Sequence, residues 1–145
     1  MKISTKGRYG VRFMLDLAIH YNQGLIPLKD IAKRQEISVK YLEQILLYLN
    51  KTGCIRSARG AHGGYALCCD PKAVTVGMIL RLIEGSISPV DCAEQNPPLC
   101  SQASTCITIG VWKKIKNAID DVVDNITLAD LVEEYNSKNH SDFCI

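Results

Sequence analysis

One stretch constrains the fold of this chain more than any other. Across residues 38–67 a helical apolar stripe runs directly into a glycine-rich, basic hairpin. Ser38 is a good N-cap, and Leu42, Ile45, Leu46 and Leu49 follow at i, i+3, i+4 and i+7, one buried face of a helix. Lys40, Glu43, Gln44 and Leu47 are left on its outer face. Upstream, Pro27-Leu28-Lys29-Asp30 starts a shorter helix carrying Ile31 and Ala32, and Gln35-Glu36-Ile37 makes a tight connection. A short helix, a brief turn and a second helix with an exposed polar face make a helix-turn-helix. Two short apolar segments, Cys54-Ile55-Arg56-Ser57 and Tyr65-Ala66-Leu67, then flank the tip Ala58-Arg59-Gly60-Ala61-His62-Gly63-Gly64. They read as a β-hairpin, and a hairpin directly after a recognition helix is a wing. Glycines at 60, 63 and 64 would let the tip take positive φ angles and approach a phosphate or minor groove closely.

The remaining pattern is helical. Tyr9, Phe13, Leu17 and Tyr21 recur every four residues with Met14 and Ala18 alongside, capped by Ser4 or Thr5, while Lys6, Arg8, Arg12 and Asp16 fall off that stripe. Asn22-Gln23-Gly24 stops the helix. Val76, Ile79, Leu80 and Ile83 form another stripe, expected to pack the wing against the first helix. Residues 86–104 hold three prolines and should be irregular. A long amphipathic helix from about Ile107 to Ile126 then carries Val111, Trp112, Ile115, Ala118, Ile119, Val122 and Ile126, more apolar surface than a small winged domain covers. It is expected to pair with a second copy. A short helix around Leu128–Tyr135 precedes a polar tail. The chain thus reads as mainly α with a small β-hairpin wing. The expected divisions are a winged helix-turn-helix over 1–84, a cysteine-bearing loop over 85–106, a dimerisation helix and short following helix over 107–137, and a tail over 138–145.

Charge divides the same way. Residues 1–72 carry 12 Lys and Arg against 5 Asp and Glu, whereas residues 73–145 carry 5 against 10. A basic first half is the electrostatic footprint of a nucleic-acid surface. Glu43 and Gln44 are placed to touch bases, since Glu accepts from cytosine N4 and Gln pairs bidentately with adenine. Arg59 at the wing tip suits minor-groove insertion or phosphate pairing, and Arg56 and Lys40 suit phosphate contact. Tyr41, His62 and Gly63 complete the expected DNA-facing set. No histidine and carboxylate accompany the cysteines at catalytic spacing, and the Arg59–Gly64 loop lacks a phosphate-loop lysine, so the reading is not an enzyme.

Cys92, Cys100 and Cys106 lie in one proline-broken loop, separated by seven and then five residues. The chain begins MKISTKGRYG without an apolar leader and holds no run near the roughly 20 residues of a membrane span, so a cytoplasmic location is expected. A reducing compartment and an odd count of seven cysteines argue against a disulfide framework. The three loop thiols therefore read as a metal or iron–sulfur site or a redox sensor. Cys54, Cys68 and Cys69 read as small structural hydrophobes.

These residues resemble the Rrf-two family of bacterial winged-helix regulators. The match runs through Met1-Lys2-Ile3-Ser4-Thr5-Lys6-Gly7-Arg8-Tyr9, Ile37-Ser38, Tyr41-Leu42-Glu43-Gln44, the wing Ser57–Tyr65, Glu84-Gly85 and Asn125-Ile126-Thr127-Leu128. The resemblance implies a homodimer on a palindromic double-stranded DNA operator, base reading by Glu43 and wing contact by Arg59. The loop cysteines are similar to those of the iron–sulfur members, implying a cluster on Cys92, Cys100 and Cys106, two-iron–two-sulfur rather than four-iron–four-sulfur. IscR-type members place a histidine three residues after the last cysteine, where this chain has Ile109, so the fourth ligand is unassigned. Ile87-Ser88-Pro89-Val90 and the terminal Ile145 are similar instead to CymR-type members, which are cluster-free repressors controlled through cysteine synthase. Control by a metabolite is a further alternative.

Overall fold

The computed structural model describes residues 1–94 and 100–141, so Ile145 lies outside the described residues. Among the described residues six α-helices and one hairpin follow in order: α1 Thr5–Ile19, α2 Leu28–Gln35, α3 Val39–Leu49, β1 Ile55–Ala58, β2 Gly64–Leu67, α4 Val76–Glu84, α5 Ile109–Asp124 and α6 Leu128–Ser141. Local chemistry sets the boundaries. Ser4 caps α1 by accepting from the Gly7 amide, and Ser38 caps α3 by accepting from the Tyr41 amide. Between α2 and α3 the chain reverses through Glu36 in the left-handed region (φ 55°), whose amide reaches back to the last turn of α2. That single residue sets the turn from α2 into α3.

The core lies where α1, α3 and α4 meet, with α2 closing one side. Phe13, Met14, Ile31, Leu42, Ile45, Leu49 and Ile79 are sealed in it. The apolar stripes of α1 and α3 are buried as their periodicity requires. α4 departs from expectation by packing on α1 and α3 rather than bringing the wing to α1. The wing reaches the core through β2 itself. Ile26 exchanges backbone hydrogen bonds with Tyr65, both 2.8 Å, and the Tyr65 ring meets Phe13 edge-on with centroids 6.2 Å apart.

Two contacts tie the ends of this domain together. The Ser4 amide and hydroxyl both donate to Glu84 Oε1, at 2.9 and 2.6 Å, joining the start of α1 to the end of α4. Val74 and Val76 bond to Leu128 and Ile126 across a short bridge, which drives Leu128 fully into the core and lays α6 against α1. α6 is therefore part of the first domain's packing, and it runs on to Ser141 through residues expected to form the tail. Lys138 pairs with Glu134 at i−4, and the hydroxyls of Ser137 and Ser141 bond carbonyls one turn back, holding the extra turns.

Two polar expectations are corrected. Asp16, expected off the buried stripe, is 2 % exposed. It accepts from Arg34 Nε and Nη2 at 3.1 and 2.6 Å and from Gln35 Nε2 at 2.9 Å, so its burial is fully compensated. Cys54 is buried as expected but is disulfide-bonded to Cys69, and Cys68 is exposed rather than packed. The hairpin register explains the pairing. Ile55 faces Leu67, which sets Cys54 opposite Cys68 and within disulfide reach of the next residue.

Candidate nucleic-acid interface and thiol segment

α3, the wing and the start of α2 border an open groove of about 590 Å³. Glu43 from α3, Arg59 and Gly63 from the wing, and Lys29 from the start of α2 line it. Glu43, Lys29 and Arg59 are exposed, so three charged heads converge on one open surface. Gly60 holds φ at +104°, and its carbonyl accepts from the Gly63 amide at 3.0 Å, closing the tip. Gly63 is not in a positive-φ conformation, contrary to expectation. It must be glycine because a Cβ there would run into the Ala58 carbonyl.

The other expected DNA-facing residues do not all gather at this groove. Lys40 and Gln44 are exposed on α3. Tyr41 turns toward α1 instead, with its ring edge-on to Tyr9 at 5.8 Å, and lines a second hollow with Thr5, Glu36 and Ser38. Arg56 lies apart, in a small hollow at the root of the wing with Tyr21, Asn22 and Cys68. His62 is exposed at the tip. Lys29 was missed because only the fold of α2 beside the wing brings it into the groove.

Several basic side chains are fixed by the protein itself. Lys6 and Lys51 both bring their ammonium groups to the Tyr48 ring, 4.8 and 5.8 Å from its centroid. Arg12 lies 5.3 Å from the Tyr9 centroid and bonds to both the side chain and the carbonyl of Gln35. The Arg12–Gln35 and Arg34–Asp16 contacts tie α1 to α2, and Lys6 ties α1 to α3.

Cys92 sits in a short 3-10 turn, Asp91–Ala93, that packs against α5; Cys106 stands three residues before α5, and Cys100 is exposed between them. All three are free thiols. The Cys106 thiol is held below its ordinary pKa, first by its contact with the Thr108 hydroxyl at 3.3 Å and then by the Ile109 amide, so its thiolate is favoured. Among the described residues no three His, Cys, Asp or Glu side chains lie together as a metal-binding group. The donor chemistry nevertheless fits a soft-metal group, since three free thiols lie on one segment and the pKa of one of them is lowered.

α5 completes the picture. Val111, Ile115 and Val122 are 50, 40 and 59 % exposed, and with Ala118 they form one apolar seam along the helix. Trp112 and Ile119, which fall on the other side of the expected stripe, are half-buried. Among the described residues no helix is long and apolar enough to cross a membrane.

Comparison with known proteins matches residues 3–134 to the family described as Rrf2, iron-dependent transcriptional regulator. The Rrf2 protein of Nitratidesulfovibrio vulgaris is 41 % identical over 134 residues, covering 92 % of this chain and 89 % of that one. The HTH-type transcriptional regulator CymR of Bacillus subtilis is 43 % identical over 131 residues, covering 90 and 89 %. The solved structure of B. subtilis CymR superposes with a TM-score of 0.76 at 41 % identity over 92 % of this chain and 98 % of that one. The T. potens IscR structure superposes at 0.73 and 42 % identity, covering 93 and 88 %.

Proposed function

Because the chain belongs to the Rrf2 family of DNA-binding transcriptional regulators, we propose that it is a homodimeric repressor of the cytoplasm that senses iron–sulfur or redox status through Cys92, Cys100 and Cys106. The observation that carries the reading is positional. Three free thiols, one favoured as thiolate, occupy the segment between the DNA-reading domain and α5. Change at that segment therefore acts on the helix whose exposed seam suits a second copy of the chain.

Each part has its task. In a dimer joined along Val111, Ile115 and Val122, two α3 helices face adjacent major grooves of a palindromic operator. Glu43 and Gln44 read base edges, while Lys40 and Lys29 pair with phosphates. Arg59 reaches the minor groove from the wing tip. The basic surface makes binding fall steeply with salt. Cys92, Cys100 and Cys106 would hold a two-iron–two-sulfur cluster, which supplies one-electron and oxidant-sensitive chemistry when bound. Cys106, its pKa lowered by Thr108, deprotonates the more easily on ligation, and Cys92 lies in the turn that packs on α5. Ordering these thiols together shifts the population of α5 arrangements and so the spacing of the two α3 helices.

A second reading rests on Ile109. It stands where IscR-type members have a histidine, and its side chain cannot ligate. This favours a cluster-free repressor of the CymR type, controlled by a metabolite or by cysteine synthase docking on Ile145. Anaerobic purification followed by absorbance and iron and sulfide counting separates the two. The cluster reading expects coloured protein that is bleached by Cys→Ala at 92, 100 or 106. Colourless protein from iron-replete cells, with DNA binding intact, selects the second.

A further inference from the structure

We infer that Cys54 and Cys69 form a second thiol site, a dithiol–disulfide pair at the root of the wing that sets the affinity for DNA. The pair is separate from the loop thiols, which are all free. Its Cα atoms are 4.9 Å apart, within the range a disulfide spans without backbone movement. Cys54 is buried in the core, Cys69 is half-buried, and the neighbouring Cys68 is an exposed free thiol. All three surround one point, since the sulfurs of Cys68 and Cys69 lie 3.5 and 4.0 Å from the Gly53 carbonyl. A disulfide in a chain that works on DNA in a reducing compartment is of the transient, sensing kind rather than a fixed staple.

The position gives the pair leverage. β1 and β2 pair over only four residues each, and a two-stranded hairpin is marginal alone. β2 is anchored to the core through Ile26 and Phe13, whereas three of the four residues of β1 are exposed. β1 is the strand that leads to Arg59. Its root is Cys54, which follows the last turn of α3 by way of Asn50–Thr52 and Gly53. Closing the disulfide locks that root to the anchored strand and fixes where the tip stands relative to the recognition helix. Opening it leaves the ladder bond from the Cys68 amide to the Cys54 carbonyl, at 2.8 Å.

The oxidant class is a small-molecule disulfide, RSSR. The half-buried Cys69, as thiolate, attacks one sulfur, forming a mixed disulfide and releasing RS⁻. The Cys54 thiolate then displaces the second RS⁻ and closes the Cys54–Cys69 bond. Two electrons pass from the protein to RSSR, and the two thiol protons leave with two RSH. Dithiothreitol reverses the exchange.

The affinity effect rests on the wing contact proposed above, so the test reads both. Full-length protein is equilibrated with reduced dithiothreitol or with oxidised glutathione, alkylated, and mapped by mass spectrometry. Each form is titrated onto a short duplex selected from a random pool by the reduced protein. The expected result is a Cys54–Cys69 peptide pair after oxidation and about five-fold tighter binding by the oxidised form, as a pre-organised wing has less to order on binding. Cys69→Ser, which leaves the buried Cys54 in place, should bind like the reduced form in both buffers. Cys54 and Cys69 both alkylated after oxidation would overturn the site. Equal affinities of the two forms, in a protein whose Arg59→Ala variant binds weakly, would overturn the switch. Unchanged binding by Arg59→Ala would instead strike the wing contact itself, and the effect on affinity with it.

Discussion

The DNA-reading domain and α5 are built on opposite terms. α1 buries seven of its residues and α3 buries four, including Phe13, Leu42 and Ile45 with no exposed surface. α5 is as long, at 16 residues, yet buries none fully. The first region is a core that closes on itself, with even its buried carboxylate, Asp16, satisfied by Arg34 and Gln35. The second is held on one side only and carries its apolar seam outward. The contrast teaches where regulation can enter. A segment without its own core is cheap to shift, and the loop thiols lie where it begins.

The contrast breaks first at Leu42. Leu42→Ala should cost about 3 kcal/mol in a denaturant melt, the usual cost of a large-to-small change in a sealed site. That loss should be independent of protein concentration. A cost under about 1 kcal/mol would show the core to be looser than its burial implies. Ile115→Asp probes the other side. It should leave the helical circular dichroism intact and weaken self-association about 100-fold, roughly 2.7 kcal/mol, seen by sedimentation as a shift from dimer to monomer. Unfolding without dissociation would mean that α5 belongs to the core after all.

The same contrast separates what the chain discloses about itself. The α1, α3 and α4 stripes are legible because a 3.6-residue period can only be buried one way. The wing is legible because glycines and a basic tip sit between two apolar segments. Asp16 falls off the apolar stripe, and its burial is not legible because its neutralising partner, Arg34, lies 18 residues away and arrives only when α2 folds against α1. The extent of α6 was missed because Asn136–Ser141 has no apolar period, its helix being held by hydrogen bonds and an ion pair one turn apart. The Cys54–Cys69 pair was in reach of the hairpin register, but reasoning from the compartment weighed against any disulfide. Of the candidate groove, Glu43, Arg59 and Gly63 came from motif spacing. Lys29 did not, because a neighbour across the fold has no signature in the chain.

The smallest expected effect concerns how α5 is held at all. Arg81 on α4 donates to Asp124 at 2.6 and 3.0 Å and to Asp120 at 2.6 Å, and Asp120 also takes Lys116 at 2.5 Å. Burial alone would raise the Asp120 carboxyl, but the hydrogen bonds from Lys116 and Arg81 outweigh it and hold the group below its ordinary pKa. A group depressed on folding stabilises the fold above its unfolded pKa and loses that contribution as pH falls through the folded one. The latch is therefore whole at neutral pH and fails progressively below about pH 4, the ordinary range of an aspartate. The network is partly open to water, which screens it, so Arg81→Met should cost only about 1 kcal/mol at pH 7. The difference between variant and parent should shrink as Asp120 protonates. Hydrogen exchange is the sensitive readout, because α5 amides should open faster in the variant while those of α1 and α3 keep their protection. Equal acceleration in all three helices would erase the division between a closed core and a latched helix.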